Sequence, residues 1–236
     1  MRAPALSSVL AGFAMLSCVV LAAGCSSSDN KAAAGTPASG TQQIAVSLTN
    51  DGCDPVDPAI DARADDVPVD QLTGFHRIEY ELWEKNSTDG MLPVADQLLA
   101  NVTKLRDESP TLPLDALQLA NGANELLGEV STSKITGEEE RYSHIDLVDF
   151  EANVEGSKAA FDAVRAALVR RDPDLATTID QRFAAVTAAL APYRTGDTFV
   201  LYTALTSDDT RKLSQVIDAL GEPLSEVAAK LGEPVA

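Results

Sequence analysis

The stretch Gly74–Trp83, GFHRIEYELW, repeats apolar residues at helical spacing and sets a histidine and a glutamate three positions apart among them. Phe75, Ile78 and Leu82 recur at three- and four-residue intervals, and with Leu72 and Trp83 they define one side of an amphipathic helix. Arg77, Glu81 and Glu84 gather on the opposite side, as solvent-facing groups should. Glu79 does not join them. On the helical wheel it falls between Leu72 and Phe75, and His76 falls beside Trp83. An ionised carboxylate in an apolar sector is costly unless a basic side chain, a shared proton or a bound cation compensates it.

The same period continues downstream. It predicts a first helix over Gln71–Lys85, a second over Leu92–Asp107 and a third over Leu114–Ser133. Ser143, followed three residues later by Asp146, reads as the cap of a fourth. Its apolar side is Leu147, Phe150, Val154, Phe161, Val164 and Leu168, with Ser157 filling one step. Asp172-Pro173 stops that helix. A fifth carries Leu175, Ile179, Phe183, Val186 and Leu190, and a sixth runs from Ser207-Asp208-Asp209 to Leu231 with a kink expected at Pro223. Amphipathic helices joined by short loops define an all-α, up-down helical bundle. Only Ile44–Leu48 alternates like a strand, and nothing downstream offers it a partner. Asp54–Asp70 is proline- and aspartate-rich and reads as an irregular approach to the first helix.

Among 236 residues, 36 acidic against 18 basic side chains give a net charge of −18, which repels phosphate backbones and argues against a nucleic-acid partner. Residues 1–24 read as a secretory signal: Arg2, an apolar run to Ala23, then Ala22-Ala23-Gly24-Cys25 and three serines. That ending resembles a bacterial lipoprotein cleavage site, with Cys25 as the lipidated first residue. Residues 25–53 then form a flexible tether that ends in the remnant strand, and residues 54–236 form the helical domain. Removal of the signal takes Cys18 with it and leaves Cys53 alone, so no internal disulfide is expected.

Bases are scarce, and the polar residues that encroach on predicted inner faces are mostly acids or amides. Asp96 adjoins the apolar sector of the second helix, defined by Leu92 and Leu99; Asn121, Asn124 and Gly128 run beside Leu117 on the third, with Glu129 further round. Two or three carboxylates and one imidazole projecting from facing helices are how bundles commonly hold iron, zinc or manganese. A buried His–Glu hydrogen bond without metal satisfies the same spacing, and HxxE recurs by chance. His144, next to Ser143, reads as a surface or cap-associated residue.

Several blocks in order resemble the imelysin-like family, and within it the EfeO-type extracytoplasmic iron-uptake lipoproteins. They are GFHRIEYELW, Leu92–Leu98, Ser133–Glu139, Asp149–Ser157 and Leu205–Thr210, continuing through Glu222-Pro223-Leu224 to Leu231. The resemblance implies an imelysin-like bundle with a metal site containing His76 and Glu79, joined by Asp96 and Glu129. It also implies iron (Fe2+ or Fe3+) as cargo, with Zn2+ as the alternative. The implied setting is extracytoplasmic, lipid-anchored to the cell membrane, beside an iron permease and a haem-dependent peroxidase of the same uptake system. The chain departs from the pattern before the bundle. Gln43–Cys53 looks like the opening strand of a cupredoxin domain whose remainder, with the family's first bundle helix, is missing. Either this is a shortened functional form, or it is a deletion product whose bundle is exposed on one side and needs a partner.

Three functions compete at this point: a non-enzymatic metal-binding lipoprotein, a metallopeptidase, and a structural helical lipoprotein without metal. Zinc peptidases of the usual helical kind need two histidines four apart with a glutamate between them. HRIEY lacks the second histidine, so the chain is read as a binding protein and not an enzyme.

Overall fold

Helical periodicity governs the computed structural model, which describes residues 58–64, 67–108, 113–132 and 134–233. The proposed signal sequence, Cys25, the tether and the strand Ile44–Leu48 lie outside the described residues. The described residues divide into two compact units, one within Cys25–Leu112 and one within Pro113–Ala236.

In the first unit, α1 (Pro58–Asp61) packs on both α2 (Gly74–Trp83) and α3 (Met91–Glu108), with a 3-10 turn at Val69–Gln71 between α1 and α2. Ile60, Ala62, Leu72, Met91, Leu98, Val102 and Leu105 are its buried apolar residues. The α3 stripe differs from the expected one. Leu92 is 73% exposed and Leu99 53%, whereas Met91, Leu98, Val102 and Leu105 turn inward. This helix carries two apolar stripes; the buried one has four members at steps of seven, four and three residues, and the Leu92–Leu99 pair cannot match that contact. On α2 the apolar side is likewise only half-buried, and Trp83 is 44% exposed.

In the second unit, α4 (Ala116–Thr132), α5 (Asp146–Val169), α6 (Pro173–Leu190) and α7 (Ser207–Ser225) each pack on the next, and α7 packs back on α4, which closes an all-α bundle. Every residue expected on the apolar side of α5 is buried, and Ser157 donates its hydroxyl to the carbonyl of Ala123 at 2.7 Å. Small residues at Ala120, Ala123 and Ala160 accompany this contact. The Phe161 and Phe183 rings meet at 5.9 Å between centroids, tilted by 34°. Phe161→Ala should therefore cost about 3–5 kcal/mol, read by urea denaturation.

Chain punctuation explains the helix ends. Pro173 opens α6, where its missing N–H is not needed, and the Asp172 carboxylate accepts from the Leu175 N–H at 2.9 Å. Pro223 lies inside α7, which ends at Ser225 before α8 (Val227–Gly232) resumes, in keeping with the expected kink. The Ser143 cap is not formed. α5 begins at Asp146, and Ser143 instead donates to Glu140 Oε2 at 2.9 Å. The fully buried Asp146 accepts from the Glu140 N–H at 3.1 Å, and burial pushes its carboxyl upward. The preceding loop is thus bonded to the first residue of α5 in place of a serine cap. A second difference is a hairpin, β1 (Arg194–Thr195) with β2 (Thr198–Phe199), turned by Gly196 at φ +62° and Asp197.

The start of α7 supplies a pH-dependent element. Thr206 and Asp209 form a capping box, and the Tyr193 hydroxyl donates to Asp209 Oδ1 at 2.9 Å. Bonds from the Thr206 hydroxyl, the Thr206 N–H and the Tyr193 hydroxyl hold the Asp209 carboxyl down at about 2. A depressed carboxyl contributes stability above its ordinary value near 3.8, lost as pH falls through about 2. Asp209→Ala should lower the thermal midpoint at pH 7, and the gap from the parent chain should close as the pH is taken from 4 towards 2.

Candidate metal centre

The first unit presents its most buried polar groups on α2. His76 is 4% exposed and Glu79 5%, the other buried residue of that helix being Gly74. Burial of a histidine and a carboxylate on one face of a ten-residue helix demands polar partners. His76 Nδ1 lies 2.9 Å from Glu79 Oε2, one helical turn on. His76 Nε2 lies 2.9 Å from Asp61 Oδ1, at the end of α1. The imidazole therefore stands between two carboxylates.

Backbone geometry brings Asp61 there. Gly74 adopts φ +63°, and a Cβ at that position would sit 1.7 Å from the Ile60 carbonyl oxygen. Only glycine lets the turn of α1 lie so close to the start of α2. Asn101 on α3 donates to the Ala59 carbonyl at 3.3 Å and accepts from Gln97 Nε2 at 2.9 Å, which ties α1 to the third helix. Arg63 then closes on Asp61 from the far side, Nε at 3.2 Å and Nη2 at 3.0 Å, both to Oδ2.

A neutral imidazole has one N–H and one lone pair, so it can donate to only one of the two carboxylates. At the other contact, lone pair faces lone pair at 2.9 Å unless a proton or a cation intervenes. Donors held about 2.1 Å from one ion at near right angles lie about 3 Å apart, so each separation suits two ligands of an ion; the two ring nitrogens diverge, so one ion takes the ring with one carboxylate while the other carboxylate orients the ring. Ligating histidines also usually present their second nitrogen to an orienting carboxylate. The residues fit a hard or borderline cation with one imidazole and carboxylate oxygens.

Of the four acids and bases expected at the site, His76 and Glu79 are brought together. Asp96 is exposed on α3, because the stripe it adjoins faces outward, and among the described residues it makes no ion pair or hydrogen bond with either of them. Glu129 belongs to the second unit, half-buried on α4. Asp61 was missed. It lies in the Pro/Asp-rich stretch read as irregular approach, and the one available signal was Pro58 opening a helical turn three residues before it.

An all-helical protein with a buried imidazole between two carboxylates is, by class, a candidate metal-binding bundle protein. The imelysin family model, which carries the designation Peptidase_M75, matches residues 35–227, and the chain belongs to this family. It is 43% identical over 175 residues to the iron uptake system component EfeM of Bacillus subtilis (strain 168), covering 73% of this chain and 46% of that protein. It is 42% identical over 178 residues to an Efem/EfeO family lipoprotein of Staphylococcus haemolyticus (strain JCSC1435), covering 73% of this chain and 62% of the relative. It is 42% identical over 181 residues to the iron uptake system component EfeO of Escherichia coli O157:H7, covering 75% of this chain and 48% of the relative. The chain thus spans about half the length of two of these relatives and less than two thirds of the third. No helix among the described residues is long and apolar enough to cross a membrane.

Proposed function

We propose that this chain is an extracytoplasmic, Cys25-anchored lipoprotein of an iron-uptake system that captures iron and delivers it to a membrane permease. The observation that carries the reading is the buried His76 imidazole with Asp61 and Glu79 at its two nitrogens, in a family whose similar members are named iron uptake components. In this reading the cation is taken between His76 Nε2 and Asp61 Oδ1, and Glu79 holds the ring in place through Nδ1. Asp96, which matches an acidic position of the resemblance, is proposed as a further donor, and a haem-dependent peroxidase as a second component of the system. Zn2+ suits the same donors and is the competing ion.

The family model's peptidase designation motivates a second reading, hydrolysis. α2 offers one imidazole and no histidine four residues away, so it lacks the paired ligands that set a zinc and a general base on one helix face. Turnover of a casein-type substrate that disappears in Glu79→Gln would favour the peptidase. The test of the transport reading is elemental analysis of the full chain purified without chelators, followed by thermal denaturation with and without iron. Iron near one equivalent with a raised midpoint is the expected result, since an ion that binds only the folded state stabilises it by mass action. No bound metal and no shift would remove the proposal.

A further inference from the structure

We propose that Arg63 is a built-in counter-cation that competes with the cargo ion for Asp61 and so sets how tightly the site holds and how readily it releases. The inference rests on the metal-site reading above and goes beyond it, because Arg63 is no ligand and belongs to none of the motifs that suggested the site.

The geometry is specific. Two guanidinium nitrogens, Nε and Nη2, contact one carboxylate oxygen, Oδ2, and the other, Oδ1, faces His76 Nε2 at 2.9 Å. Arg63 therefore presents Oδ1 towards the imidazole while withdrawing charge from the same carboxylate. A guanidinium is charged at every working pH, so this positive charge is permanent. The Asp61 and Arg63 side chains are both partly sheltered from solvent, at 18% and 29% exposure, which weakens screening between them and an ion at Oδ1. Two effects oppose each other when Arg63 is removed. Asp61 loses an orienting partner, which lowers affinity; the incoming cation loses a fixed like charge one carboxylate away, which raises it. Asp61 is short, with two rotatable bonds, and its backbone is already fixed by Asn101 and by the close approach at Gly74. The orienting loss is therefore the smaller effect, and repulsion of a divalent ion dominates.

The test uses the full chain and Mn2+ as probe, followed by the electron paramagnetic resonance signal of the free ion and by an EDTA chase. Arg63→Gln and Arg63→Met, the second keeping an aliphatic stem, should bind Mn2+ about tenfold more tightly and release it correspondingly more slowly. Arg63→Lys, which keeps the charge, should stay within about threefold of the parent. The gain should vanish in an Asp61→Asn background, an effect that general loosening of the fold does not produce; circular dichroism of each ion-free variant checks that it is folded. Unchanged or weaker binding in both neutral variants, or an equal gain without the Asp61 carboxylate, would overturn the inference alone. A parent chain that binds no Mn2+ would overturn it together with the metal-site reading.

Discussion

His76→Ala is expected to weaken iron binding by about 100-fold or more, measured by calorimetry at neutral pH. The imidazole is the single nitrogen donor of the cluster and also the group that spaces Asp61 from Glu79, with both of its nitrogens at 2.9 Å from a carboxylate oxygen. Loss of orienting partners around metal sites alone costs about 10–100-fold, and here a donor goes as well. Without the ring, the two carboxylates also lose the group between them, so the ion-free fold should lose stability. Glu79→Ala should act in the same direction. It leaves the imidazole donor in place but takes from the buried His76 Nδ1 its contact at 2.9 Å, so binding and ion-free stability should both fall. Unchanged iron binding in both variants would leave the cluster as a structural hydrogen bond. His144 serves as the control: it is half-buried in the second unit at φ +58°, and its replacement should leave the affinity as it was.

Gly74→Ala is expected to be the most damaging single change in the first unit, at about 3 kcal/mol or more by urea denaturation. The added methyl meets the Ile60 carbonyl oxygen at 1.7 Å and its carbon at 2.2 Å, and the backbone sits at φ +63°, which side chains disfavour. Neither neighbour is a flexible side-chain end that could swing away. Relief requires α1 to move, and Asp61 moves with it, so the same substitution should weaken metal binding. Gly90→Ala calibrates the conformational part. Gly90 has φ +74° with nothing within 4 Å of its would-be Cβ, so that variant should show the strain alone, about 1 kcal/mol, with metal binding intact. Equal losses for the two variants would mean that the close approach to α1 contributes nothing.

The helices were legible in the sequence because their apolar residues recur over many turns, as in α5 from Leu147 to Leu168. Asp172-Pro173 and Ser207-Asp208-Asp209 marked the starts of α6 and α7 to within a few residues. Three failures have separate physical causes. On α3 two apolar stripes compete, and the wheel cannot tell which one finds a continuous partner; Leu92 and Leu99 lost to Met91, Leu98, Val102 and Leu105. At α5 the Ser143–Asp146 spacing satisfied a capping pattern, yet the buried carboxylate of Asp146 took the Glu140 N–H and the helix started later. The hairpin at Arg194–Phe199 is two residues per strand, too short for any periodicity, and only Gly196-Asp197 marked it.

The site was half legible. His76 and Glu79 share a helix, so their spacing appears in the sequence as a motif. Asp61 reaches them only through the backbone contact at Gly74 and the Asn101 tie, both consequences of packing between segments that are distant along the chain. The same holds for Arg63, whose role depends on which oxygen of Asp61 it occupies. A glycine opening the helix of a histidine–glutamate pair is a sequence signal for such a contact, but it does not say what approaches.

The measurement closest to the central claim is X-ray absorption at the iron edge on the iron-loaded full chain. A first shell of nitrogen and oxygen at about 2.0–2.2 Å, with outer-shell imidazole scattering that survives His144→Ala and is lost in His76→Ala, is the predicted result. The chain has only two histidines, so the assignment is unambiguous. An iron spectrum without imidazole scattering, or one that His76→Ala leaves unchanged, would contradict the account.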